Sequence, residues 1–339
     1  MATMKDIARA VGVSLTTVSN VIHGNYDRVS PQTVARIREA IEQMHYVPNM
    51  SARALVSHSS HIIAYVDTHN PQETYAGNGF AGVLLSGLES VVSEHGYFLM
   101  MRRGTDESVL RLMINNWNPD GVIFKDCVPD SLVSFVRSIG KPCVTINTYL
   151  SDPQLIQVRC SDREGGRIAT EHLLSLGHRD ILFVGAVNLG FMNNDQRYLG
   201  HCDALRAAGI EPDSQRLINS LHPFAAERCI AMGRQLAQRR DYTAICVSGD
   251  QYAVSLMAGL REGGLRVPED VSIVGFDDVD IARICNPPLT TIRQDGIGKG
   301  MRAAQAIFAL IDGQTLDPAD FTLPVELVVR GTTGPVKVR

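Results

Sequence analysis

The first thing this sequence lacks is a membrane span: nowhere in its 339 residues is there an apolar run of the about 18 residues that cross a bilayer as a helix. No charged-then-apolar leader pattern opens it, so a cytoplasmic protein with no membrane partner is expected. The seven cysteines, Cys127, Cys143, Cys160, Cys202, Cys229, Cys246 and Cys285, form no C-x-x-C and mostly lie in apolar surroundings. That predicts buried thiols rather than disulfides or metal ligands. G-x-S-x-G, H-E-x-x-H and P-loop sequences are missing and no carboxylate pair stands out, so neither an enzyme nor a cofactor is expected. Aromatic residues are only 6% of the chain, with one tryptophan, Trp117, which leaves little stacking surface for a large glycan.

Positive charge is scarce as well. The net charge is −4, but residues 1–60 hold six basic and four acidic side chains, a net +2, and the remainder carries −6. A basic head on an acidic body fits DNA contact confined to one end. So small an excess implies two heads per complex and an affinity that falls steeply with salt.

Within that head, residues 6–20 read as two short helices joined by a glycine turn, a helix-turn-helix. Ala8 lets the second helix cross closely, Gly12 supplies a left-handed turn, and Val18 buries the second helix against the first. Ser14 sits where an N-cap belongs, so the helix it opens presents Leu15, Thr16, Thr17, Ser19 and Asn20, in part, to a major groove. A helical hairpin inside an ordinary fold would use similar residues. The next segment of chain weakens that alternative: Ser30-Pro31 is a cap with proline at the first helical position, and Val34, Ile37, Ile41 and Met44 recur three or four residues apart. A third helix thus closes a unit of about fifty residues, the size of a small DNA-binding module.

The polar stretch Ser57-His58-Ser59-Ser60 is the best linker. Beyond it, strands over 62–66, 97–101, 121–124 and 142–146 alternate with helices near 82–95, 108–115 and 130–139. The rhythm restarts at Asp162 with a helix to 176 and strands over 181–184, 244–247, 271–275 and 289–292. Helices are expected near 197–208, 225–238, 252–262 and 300–311. Such alternation means parallel sheets covered on both faces. Two doubly wound lobes would form a cleft, with the loops at the carboxyl ends of the strands facing a ligand.

Gly77-Asn78-Gly79-Phe80-Ala81-Gly82 matches G-x-G-x-x-G, which raises an NADP-dependent enzyme as an alternative. The context is poor, because about ten residues separate these glycines from the preceding strand. Arg102-Arg103 also stand where a ribose-binding acid belongs, which would suit only a 2′-phosphate.

Five stretches in order resemble the LacI/GalR family of bacterial transcription regulators: KDIARAVGVSLTTVSNVIHG (5–24), VSPQTVARIREAIEQMHYVPNMSARAL (29–55), GRIATEHLLSLGHRDILFVG (166–185), REGGLRVPEDVSIVGFDD (261–278) and PPLTTIRQD (287–295). The resemblance implies a helix-turn-helix headpiece (1–48) and a hinge helix with linker (49–60). It also implies two lobes like periplasmic sugar-binding proteins, 61–161 plus 293–323 and 162–292 plus 324–339, between which the chain crosses three times. It places Leu15, Thr16 and Asn20 at base edges. Asparagine in place of a frequent arginine suits adenine rather than guanine. Ser14, Ser19, Ser30 and Thr33 match phosphate contacts, which fix register without reading sequence. His23 stands where the family usually has asparagine, and it is either a DNA contact or a solvated helix-end histidine. Asn49, Ala52, Arg53 and Leu55 belong to the hinge, with Leu55 matching a leucine wedged into the minor groove.

For a small-molecule effector, the resemblance assigns Arg197, Asp277, Asn147, Gln294 and the aromatic Phe224, with Phe80 and Tyr75 from a glycine-rich stretch. Gly249 departs from the family's usual asparagine. Together these imply a regulator, a repressor by expectation, that binds a pseudo-palindromic double-stranded DNA operator as a homodimer under sugar control. No heptads follow Arg330, so a dimer is favoured over a tetramer. A sugar-sensing module with little or no DNA binding is the other reading left open.

Overall fold

The computed structural model describes residues 2–22, 24–46, 59–68, 79–104, 106–187, 192–219, 225–317 and 321–337. They belong to two compact units, 1–60 and 61–339.

Among the described residues of the first unit are three α-helices: α1 (Met4–Val11), α2 (Leu15–Ile22) and α3 (Pro31–Gln43). Local chemistry sets their ends. Thr3 and Asp6 close a reciprocal capping box at the start of α1, and Gly12 ends it at φ +70°, a left-handed backbone that glycine adopts without a Cβ clash. Ser14 Oγ accepts from the Thr17 amide at 3.1 Å, and Ser30 Oγ from the Thr33 amide at 3.3 Å. Ile7, Val18 and Ile37, one from each helix, are fully buried in the shared core. Each such side chain stabilises the unit by roughly 1.5–3 kcal/mol. Arg36 ties α3 to the end of α1 by donating to the Val11 carbonyl at 2.6 Å.

The described residues of the second unit hold two six-stranded sheets. The first contains β1 (Ile62–Asp67), β2 (Phe98–Arg103), β3 (Gly121–Lys125), β4 (Cys143–Ile146), β5 (Ile156–Cys160) and β11 (Thr322–Leu323), in the order β11-β5-β4-β3-β1-β2. The second contains β6 (Ile181–Val184), β7 (Leu217–Ile218), β8 (Ala244–Val247), β9 (Ser272–Asp277), β10 (Thr290–Gln294) and β12 (Val325–Val328), in the order β12-β10-β9-β8-β6-β7. All neighbours pair in parallel except β10 with β12, which are antiparallel. Along the described strands the chain changes sheet three times, after β5, after β10 and after β11.

β1 shows why both faces need cover: Ile63 and Tyr65 enter one core, Ala64 and Val66 the other. Helices α4 (Gly79–Glu94) and α12 (Gly296–Ile311) cover one face of the first sheet, and α5 (Glu107–Trp117) and α6 (Asp130–Ser138) the opposite one. Over the second sheet lie α7 (Asp162–Ser175) and α8 (Met192–Ala207) on one side. On the other are α9 (Ala226–Leu236), α10 (Asp250–Glu262) and the short α11 (Asp280–Ile284).

Three of these helix pairs interlock through reciprocal glycines. A Cβ at Gly166 would collide with the Arg197 carbonyl and one at Gly200 with the Arg163 carbonyl; Gly87 and Gly300 bring α4 and α12 equally close, and Gly233 and Gly259 do so for α9 and α10. Backbones meet there with no side chain between them.

The expected elements are present with shifted ends. α8 begins at Met192 rather than near Arg197, and α12 at Gly296 rather than near Gly300, where Asp295 caps it through the Gly298 amide at 2.8 Å. β5, β7, β11, β12 and α11 are too short or too weakly patterned to be read from the sequence. Gly79 and Gly82 are helical, so these two glycines of the G-x-G-x-x-G match shape no strand-to-helix turn; Gly77 lies outside the described residues. All seven cysteines are free thiols, five of them buried. Among the described residues no helix is long and apolar enough to cross a membrane, and no three metal-ligating side chains converge.

Candidate functional site

In the first unit, Ser14 caps α2 while Leu15 and Thr16 occupy its first turn, all three exposed. Ser19 and Asn20 lie four residues further on along the same face, half-buried. Leu15 keeps 42% of its surface in solvent, an apolar side chain that the core does not use. Ser14 and Ser30 each hold a threonine hydroxyl at 2.8 Å, Thr17 and Thr33 respectively. Each pair thus marks a helix N-terminus, where unsatisfied amides and the helix dipole favour an anion. His23, Asn49, Ala52, Arg53 and Leu55 lie outside the described residues.

The cap and a phosphate contact are separable at Ser30. Ser30→Asp keeps an N-cap acceptor, so urea unfolding of the headpiece should change by less than about 0.5 kcal/mol. The same carboxylate would repel a phosphate, and DNA affinity is expected to fall by about tenfold or more. Unchanged DNA affinity would remove Ser30 from the interface.

In the second unit, the expected effector residues converge where the strands end. Asn147 comes directly after β4, Asp277 and Gln294 are the last residues of β9 and β10, and Ser248 comes directly after β8. Asn147 has φ +58° and Asp277 φ +120°, left-handed conformations tolerated best by short polar side chains and held in place only by the surrounding contacts. Arg197, 4% exposed, rises from the second turn of α8. Its Nε donates to Asp162 Oδ1 at 2.8 Å, its Nη1 donates to the Ser248 carbonyl at 2.6 Å and faces Asp277 Oδ1 at 3.7 Å, and its guanidinium stacks 3.5 Å from the Phe276 ring centre. Burial opposes the guanidinium charge, but the Asp162 and Asp277 carboxylates outweigh it and push the pKa up. Asp162 also accepts from the Tyr149 hydroxyl at 2.8 Å.

The network continues through Gln294, whose amide nitrogen donates to Asp277 Oδ1 at 2.5 Å. Lys299, at 0% exposure, donates to Gln294 Oε1 at 2.5 Å and to Asn147 Oδ1 at 2.9 Å, while Asn147 donates to Asp126 Oδ1 at 3.1 Å. One hydrogen-bonded chain therefore runs from the first sheet to the second. The Lys299 ammonium also lies 5.3 Å from the Phe80 ring centre. Several groups have no partner among the described residues: Arg197 Nη2, Asp277 Oδ2 and the buried Ser248 Oγ and Asn193 Oδ1. These are donors and acceptors suited to ligand hydroxyls. At Gly249 a Cβ would stand 3.6 Å from Asp277 Oδ2, so the lack of a side chain there leaves that oxygen uncovered.

Sequence reasoning thus assembles Asn147, Arg197, Asp277, Gln294 and Phe80, and the structure brings these five together. It misses Lys299, Asp162, Tyr149 and Ser248. Tyr75 and Phe224 lie outside the described residues. Trp117, 60% exposed at the end of α5, has no part in the network.

Asp277 is a titration handle. Burial pushes its carboxyl up to about 6 from 3.8, against the opposing pull of Arg197 and the Gln294 amide. A folded-state value above the unfolded one favours folding while the group is protonated, so stability present below pH 3.8 is lost as pH rises to about 6. In urea unfolding across that window, wild type is expected to lose on the order of 2–3 kcal/mol relative to Asp277→Asn, at about 1.4 kcal/mol per unit. Parallel pH profiles would show that the Asp277 carboxyl is not desolvated enough to raise its pKa.

A helix-turn-helix unit and a bilobed core with unspent polar groups between its sheets define a ligand-responsive DNA-binding regulator. Residues 3–49 match the bacterial regulatory proteins of the lacI family, and residues 170–333 the periplasmic binding protein-like domain. The transcriptional regulator CelR of Thermobifida fusca is 32% identical, covering 97% of each chain. Among solved structures, a CelR complex with cellobiose superposes with a TM-score of 0.74 at 29% identity, covering 98% of this chain and 100% of that one. The lac repressor dimer bound to operator and the anti-inducer ONPF gives 0.84 at 26% identity, covering 98% and 99%. The chain belongs to the LacI family of bacterial regulatory proteins; it is a helix-turn-helix transcription regulator, and these relatives are regulators rather than enzymes.

Proposed function

We propose that this chain is a cytoplasmic repressor that grips a pseudo-palindromic operator as a homodimer and releases or tightens that grip when a sugar enters the cleft. The observation that carries the reading is the convergence of Arg197, Asp277, Asn147 and Gln294 at strand ends, with Arg197 Nη2 and Asp277 Oδ2 unspent. Leu15, Thr16 and Asn20 face base edges; Ser14, Ser19, Ser30 and Thr33, with His23, hold the backbone; Asn49, Ala52, Arg53 and Leu55 form the hinge. Phe80, Tyr75 and Phe224 supply stacking surface for the sugar. The four segments fall at 1–48, 49–60, 61–161 plus 293–323, and 162–292 plus 324–339. The CelR complex with cellobiose supports the ligand class, and the lac repressor dimer on operator supports the assembly. So do large apolar side chains left in solvent on the second unit, Ile284 at 80% and Phe98 at 64%, which a second copy would cover.

Enrichment of a random duplex pool by the full chain tests the reading. Recovered sites are expected to be pseudo-palindromic, with adenine favoured at the base pair facing Asn20. Leu55→Ala should weaken binding to the recovered site by about ten- to a hundredfold, since the wedge that holds the kink is removed, and leave sugar binding unchanged. No retained DNA at low salt would leave only the sugar-sensing module.

A further inference from the structure

The lysine and arginine side chains buried among the described residues are Lys125, Arg197 and Lys299. Two of them carry their counter-charge with them. Lys125 pairs with Asp126, with Asp67 at 3.6 Å beyond, and Arg197 pairs with Asp162 at 2.8 Å. Lys299 differs. Both of its hydrogen bonds end on neutral amide oxygens, those of Asn147 and Gln294, and no carboxylate of the described residues forms an ion pair with it. Asp277 attracts the ammonium through space but is bonded to it only by way of Gln294, and the cation in ion-pair range of it is Arg197.

A buried ammonium without a counter-charge is costly, and a fold retains one where something else completes it. The ammonium has three donors and uses two of them. Its two partners stand at the ends of β4 and β10, in the cleft, and the Phe80 ring 5.3 Å away offers an apolar face.

We propose that Lys299 makes the cleft specific for a sugar acid: the ligand carboxylate takes the remaining ammonium donor, the sugar ring packs toward Phe80, and Arg197 and Asp277 hold the hydroxyls. This rests on the effector reading of the cleft. A single carboxylate fits better than a phosphate because the nearby N-terminus of α12, which would otherwise serve a dianion, is already capped by the Asp295 carboxylate.

The test uses the full chain and matched probes: D-galacturonate against D-galactose, D-glucuronate against D-glucose, D-gluconate against D-glucitol, and D-glucose 6-phosphate, each by titration calorimetry. At least one acid is expected to bind about tenfold or more tightly than its neutral partner. Lys299→Met should erase that preference and raise the melting temperature of the ligand-free protein, because a buried ammonium that no carboxylate pairs is gone. Lys299→Gln, which keeps a donor without the charge, serves if the methionine variant does not fold. Neutral sugars binding as well as acids, a preference that survives in both variants, or tightest binding of glucose 6-phosphate would each overturn the sugar-acid assignment and leave the effector cleft standing. If no probe binds and no sugar alters operator affinity, the cleft reading itself fails, and this proposal with it.

Discussion

Arg197→Ala is expected to abolish the response of DNA binding to effector and to cost about 3–5 kcal/mol of stability in the second unit, the usual consequence of stripping one partner from a buried ion pair. The side chain does three things that alanine cannot: it pairs with Asp162, donates to the Ser248 carbonyl, and stacks on Phe276. Removing it leaves the buried Asp162 carboxylate and the half-buried Asp277 carboxylate facing a void. Lysine is no substitute, because a point charge on a flexible stem neither forks between Asp162 and Ser248 nor stacks flat on a ring; Arg197→Lys should recover less than half of the lost stability. The first unit has its own core of Ile7, Val18 and Ile37, so DNA binding in the absence of sugar should persist. Urea unfolding together with sugar titration of operator binding checks both halves. An intact response, or a loss below about 1 kcal/mol, would remove Arg197 from the centre of the site.

The second large effect concerns a residue without a side chain. Gly200→Ala places a Cβ inside the Arg163 carbonyl, and since the obstacle is backbone, α8 must move away from α7. The expected cost is about 3 kcal/mol or more, at the upper end of overpacking effects. Because Arg197 lies one turn earlier on α8, effector affinity should fall with it. Gly82→Ala in α4 is the control: its Cβ would meet nothing within 4 Å, and alanine in an open helix position is expected to stabilise by about 0.5–1 kcal/mol. Equal effects of the two substitutions on thermal unfolding would show that the close crossing of α7 and α8 is not as described.

How much of this was legible in the sequence depended on the range over which each signal acts. The headpiece could be read because its caps, its glycine turn and its apolar spacing all lie within a few residues of one another. The alternating strands and helices were legible for the same reason, and family resemblance supplied Arg197, Asp277, Asn147 and Gln294. Lys299 was not. It sits in Gly296-Ile297-Gly298-Lys299-Gly300, where a lone lysine between glycines reads as a solvated loop residue, and its partner Asn147 is 152 positions away. The start of α8 was missed because Asn193-Asn194-Asp195 carries neither apolar period nor helix preference. β7 and β11 are two residues each, too short for any alternation to show.

The sheet-changing segments have a mechanical consequence. Asp162 opens α7 just after the first passage between sheets, and Gln294 ends β10 just before the second; one holds Arg197, the other Lys299 and Asp277. A molecule bound to those side chains would push at the fulcrum rather than at the rim. There a small displacement would become a rotation whose amplitude grows with distance along each lobe. A small ligand needs only a short stroke.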